Sequence, residues 1–322
     1  MPVIVLRHGE RLDYVDPRWV GSAARPWDPP LTEEVRSLSL HALADLMGCY
    51  AAMMALRSCK RSFLPGRSLD QLAPGQGKAM GLRAGAAIRE LCKEYSLPEP
   101  TVFLSSPLRR CVETAVAAAQ GAGFEGKIAV EPALCESMCE DWYRSWAVPG
   151  ADGRWGGPAA DTEVAAGRTS LAVQGEVETA DLHPAALLPV GQLFLTVDEL
   201  EAVAAAGGGA IDQSYSAALA VDGLKYCWKR YEAECGVDAN TGLRIGGFCA
   251  EFSRAHPSVT FVVCTHGGPS ASCFEYLTGG ELVQSVGYTA IHILVQDQES
   301  TFEGSSGSWR ALVTGSTRHL ND

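Results

Sequence analysis

The chain has 322 residues, 47% of them hydrophobic, and a formal net charge of -12. That apolar share supplies a sizeable core and excludes global disorder. The acidic balance argues against nonspecific nucleic-acid binding, which needs clustered Lys and Arg, but it says nothing about a small basic pocket.

Taken in chain order, residues 2–6, "PVIVL", predict a short buried strand. A polar stretch rich in Pro, Trp and Asp follows at 13–30. Residues 33–58 contain no proline and much Leu, Ala and Met, which predicts a helix. Pro65, Gly66, Pro74 and Gly75 then break regular structure. A second helix is expected over 78–95, where Gly81 and Gly85 cost helix propensity and so imply close packing of that face. "PTVFLSS", 100–106, reads as a second strand. The following "PLRRCVETAVAAAQ" reads as a helix with proline at its start. "KIAVEPAL", 127–134, is a third strand leading towards Glu136.

Residues 149–215 are rich in Ala, Gly and Pro and show no period. Helices are expected over 222–236 and 241–255, the latter ending before Pro257. "VTFVVCTH", 259–266, is a fourth strand, and "SASCFEYLTG" a short helix stopped by glycine. "YTAIHILVQ", 288–296, and "WRALVTG", 309–315, complete the sheet. Strands alternating with helices predict an α/β fold with a mostly parallel central sheet covered on both faces. No run approaches a membrane span. The 11 cysteines are odd in number, contain no Cys-x-x-Cys or zinc-like spacing, and follow no secretory signal. They read as small buried residues of a reducing, cytoplasmic compartment.

Four apolar strands stop where ionisable residues begin: "VLRHGER" at 5–11, "FLSSPLRRC" at 103–111, "EPALCE" at 131–136 and "VVCTHGG" at 262–268. In an open α/β sheet ligands bind beyond the carboxyl ends of the strands. Neighbouring strands would therefore gather His8, His266, Arg7, Arg11, Arg110 and Glu136 in one crevice. That is a positive pocket with one carboxylate, and guanidinium forks match a phosphoryl group.

Together "LRHGER", "SSPLRRCVETA", "CTHGG" and an intervening glutamate resemble the histidine phosphatase superfamily, with its phosphoglycerate-mutase-like fold. Arg-His-Gly-Glu-Arg is closer to the phosphatase branch around the Sts proteins than to the mutases. The resemblance implies a three-layer α/β/α domain spanning 1–322, and a phosphomonoesterase without cofactor or metal. It makes His8 the nucleophile that becomes phosphohistidine, with a backbone carbonyl fixing the tautomer through the other ring nitrogen. Arg7 and Arg110 match the phosphate clamps, and Arg11 the extra arginine of the phosphatase branch. Arg110 is aligned rather than Arg109 because it precedes the Cys-x-x-Thr of the helix face. His266 matches the second histidine and Glu136 the proton donor; Glu140 and Asp141 lie close enough to compete for that role. Glu10 reads as a structural or rim residue.

The resemblance is weakest where the chain is longest. Residues 36–76 read as a helical insertion and 141–215 as a long cap-like region. Trp19, Trp27, Trp142, Trp146 and Trp155 fall in segments expected around the pocket mouth, either as an aromatic rim or as a local core. The implied partner is a phosphorylated small molecule or a phosphotyrosine-type substrate, with no nucleic acid and no membrane. The oligomeric state stays open, a homodimer included. A phosphoglycerate-type mutase, or a weakly active scaffold on the same fold, are the alternatives.

Overall fold

The first six residues to take regular structure, Pro2–Arg7, form the strand β1 that everything else is built around. The computed structural model describes residues 2–16, 18–19, 23, 25, 27–32, 76–136, 194–218, 239–283, 286–296 and 309–321. The expected helices at 33–58 and 222–236 lie outside these residues, as do most of the insertion and the first part of the cap-like region. In chain order the elements are β1, α1 (Leu12–Val15), α2 (Gly77–Glu94), β2 (Val102–Ser105), α3 (Arg109–Ala122), β3 (Ile128–Val130), α4 (Val197–Ala206), α5 (Ala239–Ala255), β4 (Phe261–Thr265), α6 (Gly267–Thr278), β5 (Ile291–Gln296) and β6 (Trp309–Ser316).

The described strands form one sheet in the order β3-β2-β4-β1-β5-β6. The first four are mutually parallel, β5 runs antiparallel to β1, and β6 antiparallel to β5. Alternation along β1 sends Ile4 and Leu6 to one face and Val3 and Val5 to the other, as the period of a strand demands. On the first face they meet α2, α3 and α4 through Ala84, Ile88, Val112, Ala115 and Leu200. On the second they meet α5 and α6 through Ile245, Cys249, Cys273 and Phe274. The result is the three-layer α/β/α arrangement with a mostly parallel sheet that the strand and helix pattern implies.

Gly81 and Gly85 do mark a close helix contact. A Cβ on Gly85 would stand 1.9 Å from the Ala118 carbonyl oxygen, and one on Gly81 2.8 Å from the Ala117 Cβ. Several expected bounds are corrected. The third strand is only Ile128–Val130, because Pro132 opens a 3-10 turn over Pro132–Leu134. The polar stretch after β1 contains the short helix α1. The end of the aperiodic 149–215 stretch forms α4, started by a Thr196–Glu199 capping box. Leu200, Ala204 and Ile211 of this stretch pack into the core beside β3, where Ile211 bridges Ile128. Cys92, Cys111, Cys135, Cys249, Cys264 and Cys273 are all free and buried. No described helix is long and apolar enough to cross a membrane.

Candidate active site

Parallel pairing of β1 with β4, and of β4 with β2, sets Arg7 beside Thr265 and Ser105 beside Cys264. The next residues, His8, His266 and Ser106, therefore leave the sheet side by side. The His8 and His266 rings lie edge to face with centroids 5.3 Å apart. Both imidazoles are buried.

The backbone of His8 is held on both sides. Its N–H donates to the Thr265 carbonyl at 2.9 Å, and its own carbonyl accepts from the Thr289 N–H at 3.2 Å. Nδ1 lies 2.8 Å from the Gly9 carbonyl oxygen. A carbonyl can only accept, so Nδ1 carries the proton and Nε2 presents its lone pair. Gly9 can sit there only because it has no side chain: a Cβ would come 2.6 Å from the Gly77 carbonyl oxygen. Its N–H donates to Thr114 Oγ1 at 3.0 Å, and that hydroxyl donates to the Arg110 carbonyl at 2.7 Å. The loop after His8 and the start of α3 are thereby locked together.

Burial pushes the His8 imidazole well below its ordinary range, and the cations Arg110, Arg7 and Arg11 push the same way. Burial also depresses His266, reinforced by Arg110, His8 and Arg11. Both rings are therefore neutral at neutral pH. His266 Nε2 pairs with Ser106 Oγ at 2.9 Å. Its Nδ1 is 3.6 Å from Glu136 Oε2. With a neutral ring this is a polar contact rather than an ion pair. Glu136 keeps 21% of its side chain exposed, so its carboxyl opens towards solvent from beside His266.

The three arginines are held differently. Arg110 is entirely buried, yet Nε and Nη2 have no hydrogen-bond partner among the described residues. Among the described residues it is Nη1 that is engaged, donating to the Trp27 carbonyl at 3.2 Å and standing 3.6 Å from Asp28 Oδ1. Arg7 donates from Nη1 to the Val286 carbonyl, leaves Nε buried and unpaired, and stacks 4.4 Å from the Tyr288 ring centroid. Gly267 gives Arg7 room, since a Cβ there would meet Arg7 Nε at 3.3 Å. Arg11 forks onto Asp13 at 3.0 and 2.5 Å and lies over Tyr14. Arg109, by contrast, is 43% exposed and pairs with Glu113 across one helical turn.

All six residues singled out in the sequence thus sit at one end of the sheet. Several neighbours were not singled out: Asp13, Asp28, Ser106, Tyr14 and Tyr288. Tyr288 lies 5.8 Å from the His8 ring, and burial pushes its phenol up to about 12. Burial likewise raises the Asp28 carboxyl to about 6, against the pull of Arg110. Glu10 accepts from Thr32 Oγ1 at 2.9 Å, a structural engagement. Trp27 is fully buried and belongs to the core, not to a rim; Trp142, Trp146, Trp155, Glu140 and Asp141 lie outside the described residues. Among the described residues no group of three or more His, Cys, Asp or Glu is placed to hold a metal ion.

No family model matches the sequence, and no curated protein matches it. Solved structures do match over nearly the whole chain. An ecdysone phosphate phosphatase from Bombyx mori is 15% identical with a TM-score of 0.47, covering 98% of this chain and 92% of its own. A mycobacterial glucosyl-3-phosphoglycerate phosphatase is 14% identical with a TM-score of 0.43, covering 98% and 99%. A phosphoglycerate mutase from Bacillus anthracis is 13% identical with a TM-score of 0.45, covering 100% and 95%. Two of these three structures are of phosphatases and one is of a phosphoglycerate mutase.

Proposed function

We propose that the protein is a phosphomonoesterase that works through a phosphohistidine on His8. The observation that carries the reading is the pairing of a neutral, tautomer-fixed imidazole with a buried guanidinium whose Nε and Nη2 have no partner among the described residues. Buried polar groups are normally satisfied, so the unpaired Arg110 and Arg7 nitrogens fit a ligand with several oxygen acceptors.

In the first step the His8 Nε2 lone pair attacks phosphorus in line. The P–N bond forms as the ester P–O bond breaks, and the leaving oxygen takes a proton from Glu136. Arg7, Arg11, Arg110 and the neutral His266 hold the equatorial oxygens while charge spreads over them. In the second step water attacks phosphorus, the P–N bond breaks, and Glu136 takes the water's proton. A phosphorylated small molecule or phosphotyrosine-type substrate fits this scheme, which asks nothing of a metal ion.

The test compares two esters. Wild type should hydrolyse both p-nitrophenyl phosphate and an alkyl phosphate, with chelator present. Nitrophenolate leaves nearly unaided, whereas an alkoxide needs the proton. Glu136→Gln should therefore lose much more rate on the alkyl ester. No hydrolysis of any ester by wild type would overturn the function. Equal loss on both esters would make Glu136 positional.

A further inference from the structure

The mechanism makes no use of Asp28, yet few carboxylates in the described structure are so enclosed. Its side chain is 1% exposed and faces an Arg110 side chain that is 0% exposed. Oδ1 accepts the Arg109 N–H at 2.8 Å and stands 3.6 Å from Arg110 Nη1, while Oδ2 is buried with no partner. The rest of the loop is fastened to the same helix. The Trp27 carbonyl takes Arg110 Nη1, and Glu113 accepts the Leu31 N–H at 2.6 Å. The segment 27–31 is thus a jig on the first turns of α3. It engages one corner of the Arg110 guanidinium and leaves Nε and Nη2 free for a ligand.

We propose that Asp28 is the positioning and charge-setting residue of the oxyanion clamp: it fixes Arg110 from behind, and when ionised it weakens the grip on an anion. This rests on the reading of the site as a phosphoryl pocket. The physical argument has two parts. Truncating one partner of a buried ion pair leaves an uncompensated charge, so the pair specifies one Arg110 geometry. A carboxylate beside the clamp also cancels part of the charge that a dianion would feel. Protonation of Asp28 and anion binding must then favour each other reciprocally. Among the described residues the charged groups that bear most on Asp28 are Arg110, Glu113 and Arg109, all on α3. Burial raises its titration to about 6, within a range where the linkage can be read.

The experiment measures sulfate binding by calorimetry, because sulfate remains a dianion across the range while phosphate does not. Asp28→Asn keeps the Oδ1 acceptor and removes the charge. At about pH 7.5 the variant should bind sulfate roughly tenfold more tightly than wild type, a size usual for coupled sites. At about pH 5, where wild-type Asp28 is protonated, the two proteins should bind equally. A difference that is the same at both pH values, or weaker binding by Asp28→Asn throughout, would overturn the proposal and leave Asp28 a packing residue. Wild type that fails to bind sulfate at either pH would instead sink the phosphoryl reading, and the inference with it. If the variant does not fold, wild type alone decides: proton uptake on sulfate binding must peak near pH 6, above the range of the lowered His8 and His266, and uptake that only grows towards lower pH, or none, contradicts the linkage.

Discussion

Arg109 and Arg110 are adjacent, carry the same charge, and have opposite surroundings. Arg109 stands 43% exposed against Glu113; Arg110 is wholly buried with two nitrogens unpaired. Which of them faces the strand ends is decided by the helix phase, since one step along a helix turns a side chain by about 100°. Arg110→Ala should lower kcat/KM for p-nitrophenyl phosphate by roughly 10²-fold or more, as removal of a charge-stabilising donor does. Arg109→Ala should stay within a few-fold of wild type, since an exposed ion pair is worth little. Steady-state kinetics on both variants checks this, and the reverse ranking would show that the site uses the other arginine. The His8 imidazole makes the same point about surroundings. Its tautomer follows from one carbonyl, and its neutrality from burial and three cations.

At the scale of elements, the α2–α3 contact is the tightest joint near the site, and it carries Gly77 against Gly9. Gly85→Ala would force a methyl onto the Ala118 carbonyl, so it should destabilise by about 2 kcal/mol despite the better helix propensity of alanine. Gly247 in α5 has nothing within 4 Å of a Cβ. Gly247→Ala should therefore stabilise by about 0.8 kcal/mol. Urea denaturation of the pair tests the sign; destabilisation by both would remove the packing explanation. The strands were legible in the sequence because buried parallel strands are unbroken apolar runs, and the close helix pair because two glycines interrupt one helical face. The helix α4 was not, since its Ala- and Gly-rich surroundings blur the period, although Thr196 and Glu199 spell a capping box. His8, Arg110 and His266 were readable as strand-end motifs. Asp28 was not, because its partner Arg109 lies 81 residues away and only the folded loop joins them.

On the scale of the whole molecule, acid should act through histidines. His8, His266 and His292 all have pKa values lowered by burial first, His292 to about 4. Unfolded, each would titrate near 6.5. Below that value the unfolded chain binds more protons than the folded one, so stability is full above about pH 6.5 and is lost as the pH falls through the folded values. Asp28 runs the other way, its contribution present below about 3.8 and lost as the pH rises through about 6. Three histidines outweigh one carboxyl, so the urea midpoint should fall between pH 6.5 and 4.5. His292→Gln removes one titration away from the site and should make the fall shallower. An unchanged slope in that variant would contradict the assignment.

The central claim is the covalent intermediate, and rapid-quench labelling tests it most directly. Wild type mixed with a phosphate ester labelled in the phosphoryl group and quenched in base should retain label on the protein. The label should be acid-labile and base-stable, as a phosphoramidate is, and should map by mass spectrometry to His8. His8→Ala should show no label and no turnover while still unfolding cooperatively. Turnover without any trapped phosphoprotein, a label on another residue, or a His8→Ala variant within tenfold of wild type would contradict the account.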